Sequence, residues 1–301
     1  MNLRTAAAAA ICCVLPSVAT ADKVVGVEAV ASSTAKGKAD KFAAWRAVDD
    51  QTETAWCEGK PDEGLDETIT LTLAEPIKVT RLDLYVGLHG SAKEYDDNNR
   101  VAKVSARTAP KTGEPLVQLA KAVPIVSKHN TLVKLDLKTP RTVQVIELGI
   151  AGVTRGAKAA ANDTCFSDIS FATEKGEVVR FLYGISGDAM SQLAPSLNVL
   201  RTALAGCEQK QLAFMVAFPF EHRIEAEEDS RTIRHKDVKS LVKACRKDAV
   251  PAIPVEADKL SELTSSGFGR ITFETGGNSD LYRMEMRWVD GSWKLASIDT
   301  H

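Results

Sequence analysis

No stretch of the 301 residues beyond the N-terminus approaches the ~18 apolar residues of a membrane-spanning helix, which excludes such a helix from the body of the chain. Charge of one sign is also lacking. With 38 Lys+Arg against 40 Asp+Glu, the formal net charge is −2. That balance argues against a dedicated nucleic-acid binder, which carries a strong basic excess. Short enzyme signatures are missing as well: there is no H-E-x-x-H, P-loop, G-x-S-x-G or C-x-x-C. Core-forming material is plentiful. At 44% hydrophobic residues the chain is not a disordered one, and its length is a prior for two domains.

The N-terminus reads as an address. Arg4 supplies a positive start, residues 5–15 form a short apolar run ahead of Pro16, and Ala19-Thr20-Ala21 is a small-x-small cleavage pattern. The expectation is a signal peptide over residues 1–21 and export to the periplasm or medium of a bacterium. Ile11 before Cys12 argues against a lipoprotein. Cleavage would leave 301 − 21 = 280 residues and change the balance to 37 basic against 40 acidic. It would also reduce the cysteines from six to four: Cys57, Cys165, Cys207 and Cys245. In an exported protein these invite disulfides, and spacing alone does not choose among the three pairings.

Two periodicities divide the rest. From Val24 to Thr173 apolar residues alternate, as in Ile69, Leu71, Leu73 and in Leu82, Leu84, Val86, Leu88. Val133, Leu135 and Leu137 repeat the pattern, and turn-rich segments such as 60–64 and 96–99 separate the runs. Short alternating strands without intervening helices predict an antiparallel β-sandwich over 24–173. Residues 174–187 read as a linker. Beyond them, Leu193, Leu197, Leu200 and Leu204 form a helical stripe extended by Cys207, with Asp188 as N-cap. Val238, Leu241, Val242 and Cys245 form a second, closed by Pro251. Asp290-Gly291 is a hairpin signal that places Trp288 opposite Trp293 and Met286 opposite Leu295. Residues 188–301 therefore read as an α+β domain.

The segment Ala47-Val48-Asp49-Asp50-Gln51-Thr52-Glu53-Thr54-Ala55-Trp56 resembles the A-x-D-G-x-x-x-T-x-W signature of discoidin-like, coagulation-factor type-C domains. Cys165-Phe166-Ser167-Asp168-Ile169 resembles the later S-E-I element. Glu94 to Val101 resembles the N-N-R-V stretch of a bacterial subgroup that includes the glycan-binding, translocation-type domain of NAD glycohydrolases. The resemblance implies a jelly-roll sandwich with ligand-binding loops at one end and a structural Ca²⁺ site. Asp49, Thr54 and Asp168 match its oxygen ligands. Asp50 stands where the family has glycine, and Asp168 where it has glutamate. The fold also implies that Cys57 pairs with Cys165, which leaves Cys207 for Cys245.

Trp56 reads as core. Trp45, His89 and Tyr95 are expected as exposed loop residues, and Asp97 and Arg100 as hydrogen-bonding partners for sugar hydroxyls. The C-terminal part resembles a nuclear-transport-factor-like cone, shared by ketosteroid isomerases, through its helix, Ala217-Phe218-Pro219-Phe220 and the closing hairpin. His222 is the weak catalytic candidate there, on a face shared with Phe214, Val216, Phe218 and Phe220 if the strand is regular. Lys236, Lys239, Lys243, Arg246 and Lys247 read as a solvated face. Asn162-Asp163-Thr164 fits a glycosylation sequon, relevant only in a eukaryotic secretory pathway. The expected protein is an exported, non-catalytic binder of a glycan or cell-envelope component. Two alternatives stand beside it: a cone-pocket enzyme, and an envelope interaction protein without a small ligand.

Overall fold

A computed structural model describes residues 23–36, 41–158, 161–225, 230–247, 264–267, 269–277 and 280–300. The expected signal peptide and Pro251 lie outside them.

The first part is the expected sandwich. Its strands are β1 (Lys23–Ala31), β2 (Trp56–Cys57), β3 (Thr68–Val86), β4 (Asn99–Ala109), β5 (Val117–Pro124), β6 (Val133–Thr154), β7 (Thr164–Thr173) and β8 (Val178–Tyr183). Two of them are long because each serves both layers. The first half of β3 pairs with β1 and the second half of β6, while its second half pairs with β7 and the first half of β6. The register breaks between Thr72 and Ile77, where Pro76 removes a ladder donor, and again between Val79 and Arg81, opposite the stretch of β6 that holds Pro140. The alternation read from sequence is realised: Ile69, Leu71, Leu73, Leu82 and Leu84 are buried with Trp56, Phe166 and Phe171 between the layers.

Residues 174–187 are more than a linker. They contain β8, which pairs parallel with β1 and antiparallel with β7. Its period of two serves two cores. Val179, Phe181 and Tyr183 enter the sandwich, whereas Leu182 joins Ile185 in the C-terminal core. The segment 96–99 is also not a plain turn: α1 (Ala92–Asp97) ends there, and Asn99 opens β4. The side chain of Ser91 caps α1 by accepting from the Glu94 amide.

The C-terminal part contains α2 (Gly187–Gly206), α3 (Gln209–Met215), α4 (Val238–Cys245) and six strands. These are β9 (Val216–Glu225), β10 (Ser230–His235), β11 (Thr264–Gly267), β12 (Arg270–Gly277), β13 (Asp280–Val289) and β14 (Ser292–Thr300). They form one sheet in the order β10-β9-β14-β13-β12-β11, with β14 and β9 parallel. The hairpin pairs Trp288 with Trp293 and Met286 with Leu295, as the turn predicts. Leu193, Leu197, Leu200 and Leu204 of α2 pack in this core, and Trp293 donates through Nε1 to the Ala189 carbonyl at 2.6 Å. Ser186, not Asp188, is the N-cap of α2, and Cys207 is its left-handed C-cap rather than part of the stripe. Both expected disulfides are present, Cys57–Cys165 and Cys207–Cys245.

Candidate functional site

The Asn98-Asn99-Arg100 segment organises one end of the sandwich by consuming its own polar groups. Asn98 donates to the Glu94 carbonyl at 2.9 Å, closing α1. Asn99 donates to the Asn162 carbonyl at 2.8 Å and accepts from the Gly156 amide at 3.1 Å. Arg100 donates to the carbonyls of Tyr95 at 3.0 Å and Arg155 at 3.4 Å. Residues 155–158 also lie close on α1, since Ala157 donates to the Asp96 carbonyl at 2.8 Å. Gly156 is required for this approach: a Cβ there would sit 2.2 Å from the Asp97 oxygen. Asn162 in turn donates to the carbonyls of Pro61 and Asp62. This engages the amide of the sequon, and its Thr164 is fully buried and bonded to the Glu63 carbonyl.

The three latched loops frame a cleft of about 480 Å³ lined by Glu63, Leu65, Asn99, Arg155 and Lys158 among others. Arg155 and Glu63 form an ion pair across it. Sequence reading missed this cleft, because loop 61–65 and residue 155 meet only in the fold. Asn99→Ala is expected to cost about 1–3 kcal/mol, since it strands the Gly156 amide and the Asn162 carbonyl. The check is a thermal unfolding shift, with faster amide exchange in residues 155–158.

A second cleft of about 510 Å³ lies on the other side of Arg100 and Thr154, bounded by Tyr95, Asp96, Val126, Lys128 and His129. His89 and Tyr95 were expected to be exposed, but they are 2% and 4% exposed and belong to its support. The Asn130 amide donates to His89 Nδ1 at 2.9 Å, so Nε2 carries the proton and donates to the Val86 carbonyl at 3.2 Å. Burial accordingly lowers the pKa of His89. The rings of Tyr95 and His129 pack against it, and the Tyr95 hydroxyl donates to Ser127 at 2.8 Å. Arg100 covers the Tyr95 ring at 5.2 Å. Asp97 pairs with Lys93 on α1. Trp45 is elsewhere: it stacks on Tyr183 at 4.9 Å, with the Arg46 guanidinium 3.9 Å from its ring centre. Of the five expected ligand residues, only Arg100 and Tyr95 are brought together at a cleft.

Asp49 and Thr54 meet as the motif implies. The Thr54 hydroxyl lies 2.8 Å and 2.9 Å from the two Asp49 oxygens, 3.0 Å from the Gln51 carbonyl and 3.4 Å from the Arg46 carbonyl. Arg46 pairs with the second Asp49 oxygen at 3.2 Å. Asp50, in the glycine position, takes φ 58°, a left-handed conformation that aspartate tolerates better than most residues. Asp168 is buried, and burial followed by the nearby carboxylates of Asp50 and Asp49 raises its pKa to about 7. Among the described residues no three carboxylate, imidazole or thiolate groups form a cation cage. The Asp49 carboxylate is met instead by the Thr54 hydroxyl, around which the Arg46 and Gln51 carbonyls lie.

His222 is buried in β9, in register with Ile298, which in turn faces Met284. The expected apolar face holds for Val216, Phe218 and Phe220, which pack in the C-terminal core, but not for Phe214, which belongs to α3 and is 59% exposed. The β9–β14 register shifts in the stretch holding Pro219, as a bulge there requires.

No curated protein matches the chain. Among solved structures, the Clostridium perfringens module CpGH89CBM32-5, in complex with GalNAc-beta-1,3-galactose, is 15% identical with a TM-score of 0.36. The match covers 48% of this chain and 92% of that one. The family 32 module of C. perfringens NanJ, in complex with galactose, is 13% identical at a TM-score of 0.36, over 48% of this chain and 92% of that chain. A chitosan-binding module from a Paenibacillus sp. IK-5 chitosanase/glucanase is 16% identical at a TM-score of 0.32, over 47% and 90%. Half of the chain, residues 20–172, matches the NAD glycohydrolase translocation F5/8 type C domain, and the protein belongs to that family.

Proposed function

We propose that this is an exported, non-catalytic binding protein that holds a glycan or cell-envelope polymer at the latched end of its sandwich. The observation that carries the reading is the cleft between residues 61–65 and 155–158, held by the Asn99 and Asn162 hydrogen bonds and lined by Glu63, Arg155 and Lys158. Such groups donate to and accept from sugar hydroxyls, and Leu65, 52% exposed, offers an apolar contact for a sugar face. Arg100 and Asp96 present a second polar wall beside it. Two disulfides suit an oxidising compartment and so support export. The test is a binding screen of the mature protein against polysaccharides and peptidoglycan. A ligand is expected whose affinity falls at least tenfold in Glu63→Ala/Arg155→Ala. Failure across the whole set, or affinity unmoved by those changes, overturns the reading.

Calcium belongs to the same proposal. The residues present fit it: Asp49 and Asp168 carboxylates, the Thr54 hydroxyl and the Arg46 and Gln51 carbonyls supply hard oxygen donors. A cation there would relieve the repulsion that raises Asp168 and would take over the neutralising role of Arg46 at Asp49. For the C-terminal part we infer a nuclear-transport-factor-like module. The helices ahead of a sheet ordered β10-β9-β14-β13-β12-β11 support that reading.

A further inference from the structure

The sandwich has an open side away from the latched end. The β5 strand pairs only with β4, and the first part of β6 pairs only with β3, so among the described residues each leaves one backbone edge without a strand partner. Between them runs a groove of about 530 Å³. Its floor is apolar: Leu82 is buried, and Leu119, Val123, Leu135 and Leu137 are partly buried against the sandwich core. Its rim is basic, with Lys121, Lys134, Lys138 and Arg141. Among the described residues none of these four cations has an ion-pair partner within 4 Å. The one rim carboxylate, Asp136, lies opposite Arg81 in the β3–β6 register.

Alternation along β6 separates these features onto two faces. Val133, Leu135 and Leu137 point toward the core, and Lys134, Asp136 and Lys138 point to solvent. A strand added beside β6 must obey the same pleat. Its inward residues would extend the apolar floor, and its outward residues would sit across from Lys134 and Lys138, where acidic side chains are favoured and basic ones repelled. Lysines on an edge also discourage pairing with a second copy, because two basic rims would meet. We propose that this groove receives an extended, acidic segment of a partner protein, alternating apolar and carboxylate residues, by strand addition along β6. The groove shares no lining residue with either end cleft.

The experiment uses two synthetic peptides of equal length, one alternating glutamate and valine, the other lysine and valine. Binding to the full mature chain is read by fluorescence anisotropy, and its location by amide hydrogen exchange. The glutamate peptide is expected to bind at least tenfold more tightly, to weaken with salt, and to protect amides in residues 133–138. Lys134→Glu/Lys138→Glu, with unchanged thermal midpoint, is expected to reverse the preference toward the lysine peptide. No binding, equal binding of both peptides, an unmoved preference in the variant, protection elsewhere, or self-association that buries residues 133–138 would each overturn the proposal.

Discussion

Replacing both Cys57 and Cys165 with serine is expected to destabilise the sandwich by about 5 kcal/mol. The bridge closes a loop with a sequence separation of 108, and closing a loop of that size removes about 4.7 kcal/mol of unfolded-chain freedom. Both cysteines are fully buried, so the serine hydroxyls would need partners the site was not built to supply. The bridge also holds β2 in place. The β2 strand is only two residues long, and Trp56 on it stacks parallel to Phe166 of β7 at 6.0 Å while donating to the Ser33 carbonyl at 2.9 Å. Losing the bridge therefore loosens the segment that carries Asp49 and Thr54. Urea unfolding of the oxidised protein measures the effect. The same change at Cys207 and Cys245, separation 38, is expected to cost about 1 kcal/mol less by the same relation. A loss below about 1 kcal/mol at the first bridge would show that residual unfolded-state structure outweighs loop closure.

Without divalent cations, stability is expected to fall as pH rises from about 4 to about 7, and Asp168 is the main cause. Its folded pKa of about 7 lies above its ordinary value of 3.8. The folded state therefore holds the proton more tightly than the unfolded chain does. Stability from the protonated form is fully present below about pH 4 and is lost as pH rises through the folded value. A displacement of this size corresponds to about 4 kcal/mol between the two ends of that range. Asp49 and Glu58 are also raised by burial and add in the same direction. His89 and His235 oppose it: burial lowers both, so their neutral folded forms lose stability as pH falls. Comparison with Asp168→Asn isolates the one group. The slope is expected to flatten in that variant, and calcium is expected to flatten it in the unsubstituted protein through the proposed site. An identical pH profile with and without calcium would count against the metal. A slope that persists in Asp168→Asn would count against the assignment to this carboxyl.

Much of the fold was legible because it rests on local periodicity. Alternation at Ile69, Leu71 and Leu73 predicts a strand with one buried face, and the Asp290-Gly291 turn sets the Trp288–Trp293 register. The cysteine pairs followed from the family resemblance, not from spacing. The misses have identifiable causes. Helix α1 carries a capping signal, Ser91 three residues before Glu94, but its polar stretch shows no apolar stripe to mark it as a helix. Strand β8 reads as a linker in sequence because it is short and bounded by turn residues, yet it alternates between two cores.

The sequence by itself determined the strand and helix periods, the hairpin register and the family motifs, since each depends on neighbours within a few residues. Only the tertiary structure decided which polar groups remain available for a ligand. His89 and Tyr95 look like loop contacts until Asn130 and Ser127, 41 and 32 residues away, take their polar atoms. Asn99, between the expected ligand residues Asp97 and Arg100, gives its amide to the Asn162 carbonyl, 63 residues away. A buried polar group must find a partner wherever the fold provides one, and that pairing leaves the Glu63–Arg155 ion pair and Lys158 facing the cleft.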